Sequence, residues 1–373
     1  MVVRSPRGGM IARCVAHRQT RQRRRCLRCC LALGRSCRLP WAAVSPGVPP
    51  MQTSRTPRLF IVGPTASGKG RLAVEIARRT GGEILSCDSM KVYRGMEIGT
   101  ATPPAEARAG QRFHLVGIRE PHEPMSAAIY CRLAEACERE VRARGAVPIY
   151  CGGTALYVRA LTEGLFEGVQ ADPALRARLR EQAQREGPAA LHARLAALDP
   201  ETARRLHPND LRRVIRALEV HERTGVPISR LQRQWARTPR PDRVLVGIRW
   251  PRELLYERID RRVERMIEAG WIEEVERLLA RPEGLGPQAA QAIGYRTIAD
   301  WIRGGRREPL EQIVARIQRD TRRFSRRQRT FFAHFPDLHW YDVGPETSWP
   351  ALAERVIRDW PRAFERAPSP ARS

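Results

Sequence analysis

Lysine is nearly missing from this 373-residue sequence: of 67 basic side chains only Lys69 and Lys91 are lysine, and the other 65 are arginine. No apolar run reaches the roughly 18 to 20 residues that a helix needs to cross a bilayer, which excludes a helical membrane span. Cysteine is thin too. Beyond residue 50 only Cys87, Cys131, Cys137 and Cys151 occur. They are too few and too scattered for a disulfide framework in a chain of this size, so a reducing compartment is expected, the cytoplasm being the simplest. Residues 1–50 contain no acid and no lysine, yet they hold 11 arginines and five of the nine cysteines. Their Cys-x-x-Cys pair, Cys26 and Cys29, has no second pair at a spacing that closes a tetrahedral zinc site. Two readings of this leader stand, an organelle transit peptide or an upstream start with translation beginning at Met51. Transit peptides are usually richer in serine, which favours the second. Either way the segment is expected to be disordered or untranslated.

Acids are short as well. Forty of them against 67 cations give a formal charge of +27, and without the leader 56 basic residues still face 40 acidic ones. A field of that size favours a polyanionic partner, nucleic acid first. Part of the arginine excess is also what a GC-rich genome writes wherever a surface cation is needed. The rest of the composition, 42% apolar and 29% charged, is that of a globular chain long enough for two or three domains.

From Arg58 short apolar runs alternate with helical periods. Leu59 to Val62, Glu83 to Cys87, Val147 to Cys151 and Val244 to Ile248 read as strands. Leu72 to Arg79, Ile129 to Arg144, Glu253 to Met266, Ile272 to Leu279 and Leu310 to Phe332 read as helices. Strands alternating with helices predict a parallel sheet covered on both faces. Between Gly164 and Trp235 the strand signal vanishes. The predicted architecture is therefore α/β: a parallel P-loop sheet covered by helices (55–163 and 241–345), interrupted by an all-helical insertion (164–240). A C-terminal helix and a disordered, proline- and serine-rich tail follow (346–373).

Directly after the first strand stands Gly63-Pro64-Thr65-Ala66-Ser67-Gly68-Lys69, followed by a helix, which is the strand, glycine loop, lysine and helix order of a P-loop. Glycines let backbone N–H groups turn inward around a diphosphate, the helix N-terminus adds partial positive charge, and a lysine reaches the phosphate oxygens. With two lysines among 67 cations, chance would put one at this position about 3% of the time. A compact ammonium suits a crowded phosphate nest better than a planar guanidinium. Residue 70 departs from the motif, being glycine where serine or threonine would place a hydroxyl on Mg²⁺. Either Ser67 or water completes the metal shell, or Mg²⁺ and diphosphate bind more weakly here; the metal ligands stay unassigned.

Asp88 follows the second strand, and in an open α/β sheet ligands gather outside the carboxyl ends of the strands. A carboxylate there can take a proton from a substrate or hold a metal through water; a helix cap or turn is the plainer role for Asp-Ser. Gly152-Gly153-Thr154 forms a similar turn after the third strand, where backbone and a hydroxyl can meet substrate.

At this point the residues resemble a known family. The phosphate loop, the run Asp88-Ser89-Met90-Lys91 through Ala101, then Gly152-Gly153-Thr154-Ala155-Leu156-Tyr157, His207-Pro208-Asn209-Asp210 and Ile293-Gly294-Tyr295-Arg296 are similar to motifs of the bacterial tRNA dimethylallyltransferases, in order from about Arg58 to Trp340. The resemblance implies transfer of a dimethylallyl group from dimethylallyl diphosphate to N6 of adenosine 37 in tRNAs that read codons beginning with U, with Mg²⁺ as cofactor. It implies Asp88 as general base, Thr154 and Arg176 near the reacting ends, and the loop Gly63–Gly70 as diphosphate site. For tRNA contact it implies Asp88 to Lys91, Arg212, Arg213, Val214, Ile215 and Arg216, and Gln291, Ala292, Ile293, Gly294, Tyr295 and Arg296. In the last segment Gln291 and Ala292 depart from the family's usual Arg-Cys. Arg319, Arg322, Arg323, Arg326 and Arg327 run along the last long helix among Phe324, Phe331 and Phe332. Their roles divide between a solvated face opposite an apolar core and a grip on the tRNA backbone. The family's eukaryotic members carry a C-terminal zinc finger, and no cysteine follows Cys151, which fits the bacterial type and a monomer.

Other readings use the same residues. A small-metabolite kinase would use the loop for ATP, an adenine-nucleotide prenyltransferase would lack the arginines at 212–216, and a nucleic-acid-binding protein would not turn over at all. The helical insertion and the basic body are unneeded for a small acceptor.

Overall fold

A strand buried on both faces needs apolar residues at every position, and Arg58–Val62 (β1) shows this alternation directly. Leu59 and Ile61 belong to one apolar layer, Phe60 and Val62 to the other, each with at most 1% of its surface exposed. The computed structural model describes residues 56–103, 110–164, 171–232 and 242–365. The leader and the tail beyond Glu365 lie outside the described residues.

After β1 the chain forms Lys69–Thr80 (α1), Glu83–Ser86 (β2), Glu97–Thr100 (α2), Phe113–His114 (β3), Ala127–Ala143 (α3), Pro148–Gly152 (β4) and Ala155–Glu163 (α4). Five helices then follow: Pro173–Glu186 (α5), Pro188–Leu198 (α6), Pro200–Arg205 (α7), Leu211–Thr224 (α8) and Ile228–Leu231 (α9). The chain closes with Arg243–Arg249 (β5), Arg252–Glu268 (α10), Trp271–Leu279 (α11), Tyr295–Arg303 (α12), Leu310–Phe332 (α13), Leu338–Asp342 (β6) and Trp349–Asp359 (α14). All strand pairs are parallel, in the order β3-β2-β4-β1-β5-β6. Leu59 of β1 stands opposite Ile149 of β4 and Val244 of β5.

One face of the sheet is covered by α1 and α14, which pack Leu72, Ile76, Leu352 and Val356 onto Ile61, Ile149 and Val246. The other is covered by α3, α4 and α11 to α13, around Phe60, Leu85 and Tyr150. Helices α5 to α9 enclose an apolar cluster of their own, centred on Leu179, Leu191, Leu195 and Leu218. Their starts follow from sequence: Pro173, Pro188 and Pro200 stand at the first helical positions, and Asp172, Asp199 and Asp210 accept capping bonds from Leu175, Thr202 and Arg213. The motif His207–Asp210 is thus the turn that caps α8.

The strands read from sequence form within a residue of their expected ends. Two strands and two helices, the four-residue α2 and α12, were not anticipated. Strand β3 is two residues long, and the edge strand β6 alternates polar and apolar residues in LHWYD, so neither has the continuous apolar run of a central strand. Helix α12 starts at Gly294, inside a stretch that reads first as a motif.

The active end is set by a close approach. Gly152 ends β4 against Cys87, so that a Cβ on Gly152 would lie 2.0 Å from the Cys87 carbonyl oxygen. Thr154 N donates to that oxygen at 3.1 Å, and Cys87 N donates to Cys151 O at 2.8 Å. Replacing Gly152 by alanine therefore has to part the two turns, and a loss of about 1–3 kcal/mol is expected in urea unfolding. Gly70, where a Cβ meets nothing within 4 Å, is the matched control: Gly70→Ala adds a helix former in α1 and is expected to stabilise by about 0.5–1 kcal/mol.

Candidate active site

The loop from Gly63 to Gly68 connects the end of β1 to α1 through backbone that side chains normally avoid. Ala66 has φ 62° and Gly68 φ 89°, a conformation that costs an alanine about 1–2 kcal/mol. Glycine is required at 68 twice over, because a Cβ there would also fall 2.2 Å from the Trp349 ring. No side chain caps α1 and no acid stands in its first turn, so its N–H groups and dipole are left for an anion. The loop is held from outside. Trp250 Nε1 donates to Ser67 O at 2.8 Å, Arg258 Nε donates to Ala66 O at 3.1 Å, and the Arg258 guanidinium lies 4.2 Å over the Trp250 ring. From α13, Gln328 accepts from Thr65 N at 2.9 Å and donates to Gly153 O at 2.8 Å, which ties the loop to the Gly152–Thr154 turn.

Asp88 lies where β2 ends, next to that turn. Its Oδ1 accepts from Met90 N at 2.9 Å and more weakly from Lys91 N at 3.4 Å. Among the described residues Oδ2 accepts no hydrogen bond. Thr154 Oγ1 accepts from Ser89 N at 2.9 Å and donates to Ser89 Oγ at 3.3 Å, so Thr154 fixes the turn that carries Asp88. The turn role read for Asp88 is filled by Oδ1, which leaves Oδ2 open for other contacts.

Positive charge gathers opposite that carboxylate. Lys69 bends back to donate to Pro64 O at 3.1 Å. Burial pushes its ammonium down to about 8, and Arg262 and Lys91 add to the fall while Cys151 and Asp88 oppose it. Burial likewise pushes the Arg262 guanidinium below its ordinary value, more than Asp88 restores, with Arg265 and Arg258 contributing to the fall. Among the described residues Arg262 makes no hydrogen bond. Sequence reading missed Arg258, Arg262, Trp250, Trp349 and Gln328. Two arginines on α10 do not stand out among 65, but Gln328 carried a signal, as a polar residue on the apolar stripe that includes Ile313, Ile317 and Phe332.

Such a cradle of amides, ammonium and guanidinium around one carboxylate can hold a diphosphate and take a proton beside it. It does not itself make a metal shell. Gly70 offers no side chain, Ser67 Oγ is fully buried and unpartnered beneath the loop against Gly63, and no three His, Cys, Asp or Glu side chains converge among the described residues.

The other anticipated residues divide by burial. Arg176 lies in α5, where it forms a two-pronged pair with Glu219 at 2.8 Å on each side; Arg216 pairs with the same carboxylate at 2.5 Å. Its polar partner among the described residues is thus Glu219, and the structure does not join it to Asp88 or Thr154. Burial pushes Glu219 up, but Arg176, the Asp172 N–H and Arg216 hold it below the usual carboxylate range. Val214 and Ile215 turn into the helical core while Arg212 and Arg213 are exposed. Ala292, Gly294 and Tyr295 are buried too, leaving Gln291 and Arg296 outside and Ile293 half-buried. On α13, Phe332 is core and Arg322 pairs with Asp260, whereas Arg326 and Arg327 are exposed with no acid partner among the described residues.

Lys69 must be charged to hold an anion, and its lowered value places the loss of that charge within reach. Between about pH 7 and 8 the ammonium is largely present and an alkyl diphosphate, whose last ionisation lies at about 6, is largely ionised, so affinity should change little. Above about pH 8 affinity should fall, approaching tenfold per pH unit. Binding at pH 8 should draw a proton onto Lys69, seen as a calorimetric heat that changes with the buffer. Affinity that stays flat from pH 7 to 9 with no buffer effect would show that Lys69 is charged throughout.

Comparison with known proteins agrees with this geometry. A family model described as IPP transferase matches residues 91–335; it begins past the phosphate loop, whose reading stands on the backbone just described. The chain is 47% identical over 313 residues to a tRNA dimethylallyltransferase of Symbiobacterium thermophilum, covering 82% of this chain and 97% of that relative. The full-length tRNA isopentenylpyrophosphate transferase of Bacillus halodurans is similar in structure with a TM-score of 0.59 at 35% identity, over 83% of this chain and 98% of that one. A eukaryotic dimethylallyltransferase acting on tRNA has a TM-score of 0.67 at 25% identity, over 84% and 82%. Identity at this level along nearly the whole of its bacterial relatives, on the same arrangement of sheet and helices, means that the chain belongs to the IPP transferase family.

Proposed function

We propose that this protein transfers the dimethylallyl group of dimethylallyl diphosphate to N6 of adenosine 37, beside the anticodon, in tRNAs that read codons beginning with U. The observation that carries the chemistry is the Asp88 carboxylate, whose Oδ2 accepts no hydrogen bond among the described residues, lying near enough to Lys69 and Arg262 to raise both their pKa values against the fall that burial causes. Family membership supplies the acceptor.

An adenine amine is a weak nucleophile because its lone pair is delocalised into the ring. As N6 attacks the allylic carbon, its proton passes to the Asp88 carboxylate, the C–O bond breaks, and the electron pair leaves on the diphosphate. The loop amides, the Lys69 ammonium and the Arg262 guanidinium receive that charge. Thr154 keeps Asp88 in line through Ser89. The base must leave the anticodon stack to reach Asp88, which costs a few kcal/mol and is easier in a loop than in a duplex. Exposed Arg212, Arg213, Gln291, Arg296, Arg326 and Arg327 are suited to the tRNA backbone and loop, the arginines through phosphate contacts. Mg²⁺, when bound, would help neutralise the leaving diphosphate; among the described residues no three His, Cys, Asp or Glu side chains converge to hold it.

Three measurements test this reading. The chain from Met51, incubated with dimethylallyl diphosphate, Mg²⁺ and unmodified tRNA, should add one C5H8 unit to a single adenosine, read by nucleoside mass spectrometry; phosphate transfer from ATP without that gain would identify a kinase instead. Asp88→Ala should lower the transfer rate by about 10²–10⁴ with tRNA affinity changed less than about threefold; near-normal turnover would remove Asp88 as the base. Gly70→Thr fills open space with a hydroxyl, and calorimetry should then find alkyl diphosphate affinity more dependent on Mg²⁺ than in the parent. Equal dependence in both would mean that the ion is already held by protein.

A further inference from the structure

Two segments far apart in sequence meet on one buried carboxylate. Glu274, on α11 and only 3% exposed, accepts from Ile98 N at 2.8 Å, from Gly99 N at 3.2 Å and from Tyr295 Oη at 2.5 Å. The first two donors belong to the opening turn of α2, where N–H groups have no helical partner. The third belongs to the Gln291–Arg296 segment. No lysine or arginine pairs with Glu274 among the described residues, and a buried carboxylate without a cation is expensive. An apolar residue would pack α11 against α2 at less cost. What the carboxylate adds is direction, since three donors from two segments fix their mutual position.

Trp271, one turn earlier on α11, sets the spacing. A Cβ on Gly99 would lie 2.1 Å from its Nε1, and one on Gly294 would lie 2.0 Å from its ring. Each segment thus gives up a side chain to admit the same indole, and Tyr295 meets it edge-on at 5.5 Å.

From α2 the contact runs on to the reactive carboxylate. Ala101, which ends α2, accepts from Lys91 Nζ at 2.9 Å, and the Met90 and Lys91 amides lie on Asp88 Oδ1. On the other side the backbone of Tyr295 leads straight to Arg296, whose side chain is 73% exposed.

We propose that Glu274 is a positioning residue for the acceptor: it locks the Asp88–Ala101 segment and the Gln291–Arg296 segment into one register, so that a single tRNA meets both as one surface. The inference rests on the tRNA reading above. A residue that only held the fold together would affect every ligand alike, whereas this one should affect the tRNA and spare the diphosphate.

Glu274→Gln keeps the volume and one acceptor oxygen but turns an amide donor toward a backbone N–H. It should raise KM for tRNA by about 10- to 30-fold, leave kcat within about threefold, and leave alkyl diphosphate Kd within about twofold. Tyr295→Phe should raise the same KM by about threefold to tenfold. Combined with Glu274→Gln it should raise the KM further, because the retained glutamine oxygen still accepts from Tyr295 Oη until that hydroxyl is removed. Unchanged tRNA KM in Glu274→Gln, or a rise in diphosphate Kd in step with it, overturns the proposal. If Glu274→Gln does not fold, Tyr295→Phe decides alone, and a parental KM in that variant overturns it. Failure of the parent chain to modify tRNA would instead sink the function reading, before any variant is made.

Discussion

Like charges crowd at the phosphate loop, and the surrounding structure holds them there. Burial pushes Lys69, Arg258 and Arg262 below their ordinary values, and neighbouring cations add to it: Arg262 depresses Lys69, Arg258 and Arg265 depress Arg262, and Arg265 and Arg71 depress Arg258, with Asp88 the carboxylate beside Lys69 and Arg262. Left to themselves such groups would separate or find acids. They are kept in place by contacts that do not neutralise them: Arg258 lies on the Trp250 ring and donates to a loop carbonyl, Lys69 donates to Pro64 O, and Arg71 lies over the Trp349 ring at 5.6 Å. Aromatic faces and backbone carbonyls hold a cation without cancelling its charge as a carboxylate does. The folded protein thereby carries an unfavourable repulsion that an anion bound among these groups would relieve.

Much of this was legible in sequence because backbone chemistry wrote it. The phosphate loop needs its glycines where φ is positive or a ring approaches, as at Gly68, and a short ammonium where amides crowd. Strand runs such as LFIV are continuous because both faces are buried. Aspartate marks the starts of α5, α7 and α8, and proline those of α5, α6 and α7. What stayed hidden is long-range. Trp349 and Gly68 are 281 positions apart, and neither predicts the other; the same holds for Gln328 with Thr65 and for Glu274 with Gly99 and Tyr295. Nothing in the residue types shows that Val214, Ile215, Ala292 and Tyr295 would face inward while their neighbours face out, because an amphipathic helix and a short motif give the same letters.

The carboxylates decide which arginines matter. Glu83 takes Arg144 and Arg112; Glu138 takes Arg58 and Arg142; Glu163 and Asp337 enclose Arg243; Glu219 takes Arg176 and Arg216. Apart from Arg112, whose side chain is 67% exposed, the pairs are partly or wholly buried, and a carboxylate stripped of its partners there would be left uncompensated. These arginines are therefore scaffold, and their charge is not available to a polyanion. Arg176 shows how the two uses can overlap: two edges of its guanidinium are held by Glu219, while Nη1 makes no hydrogen bond among the described residues and the side chain stays 31% exposed.

What remains for an anionic partner is the set that acids leave out. Arg212 on α8, and Arg326 and Arg327 on the same turn of α13 as Gln328, have no acid partner among the described residues, Arg213 and Arg296 are held only by loose surface pairs with Asp210 and Asp300, and α13 is the helix that reaches the phosphate loop. A net charge of +27 spread evenly would attract any polyanion weakly and be screened within about 8–10 Å at physiological salt. Concentrated at positions that the scaffold acids do not cancel, the same charge has an address. The arginine excess is therefore a poor guide to function when counted and a good one when each guanidinium is asked whether a carboxylate already holds it.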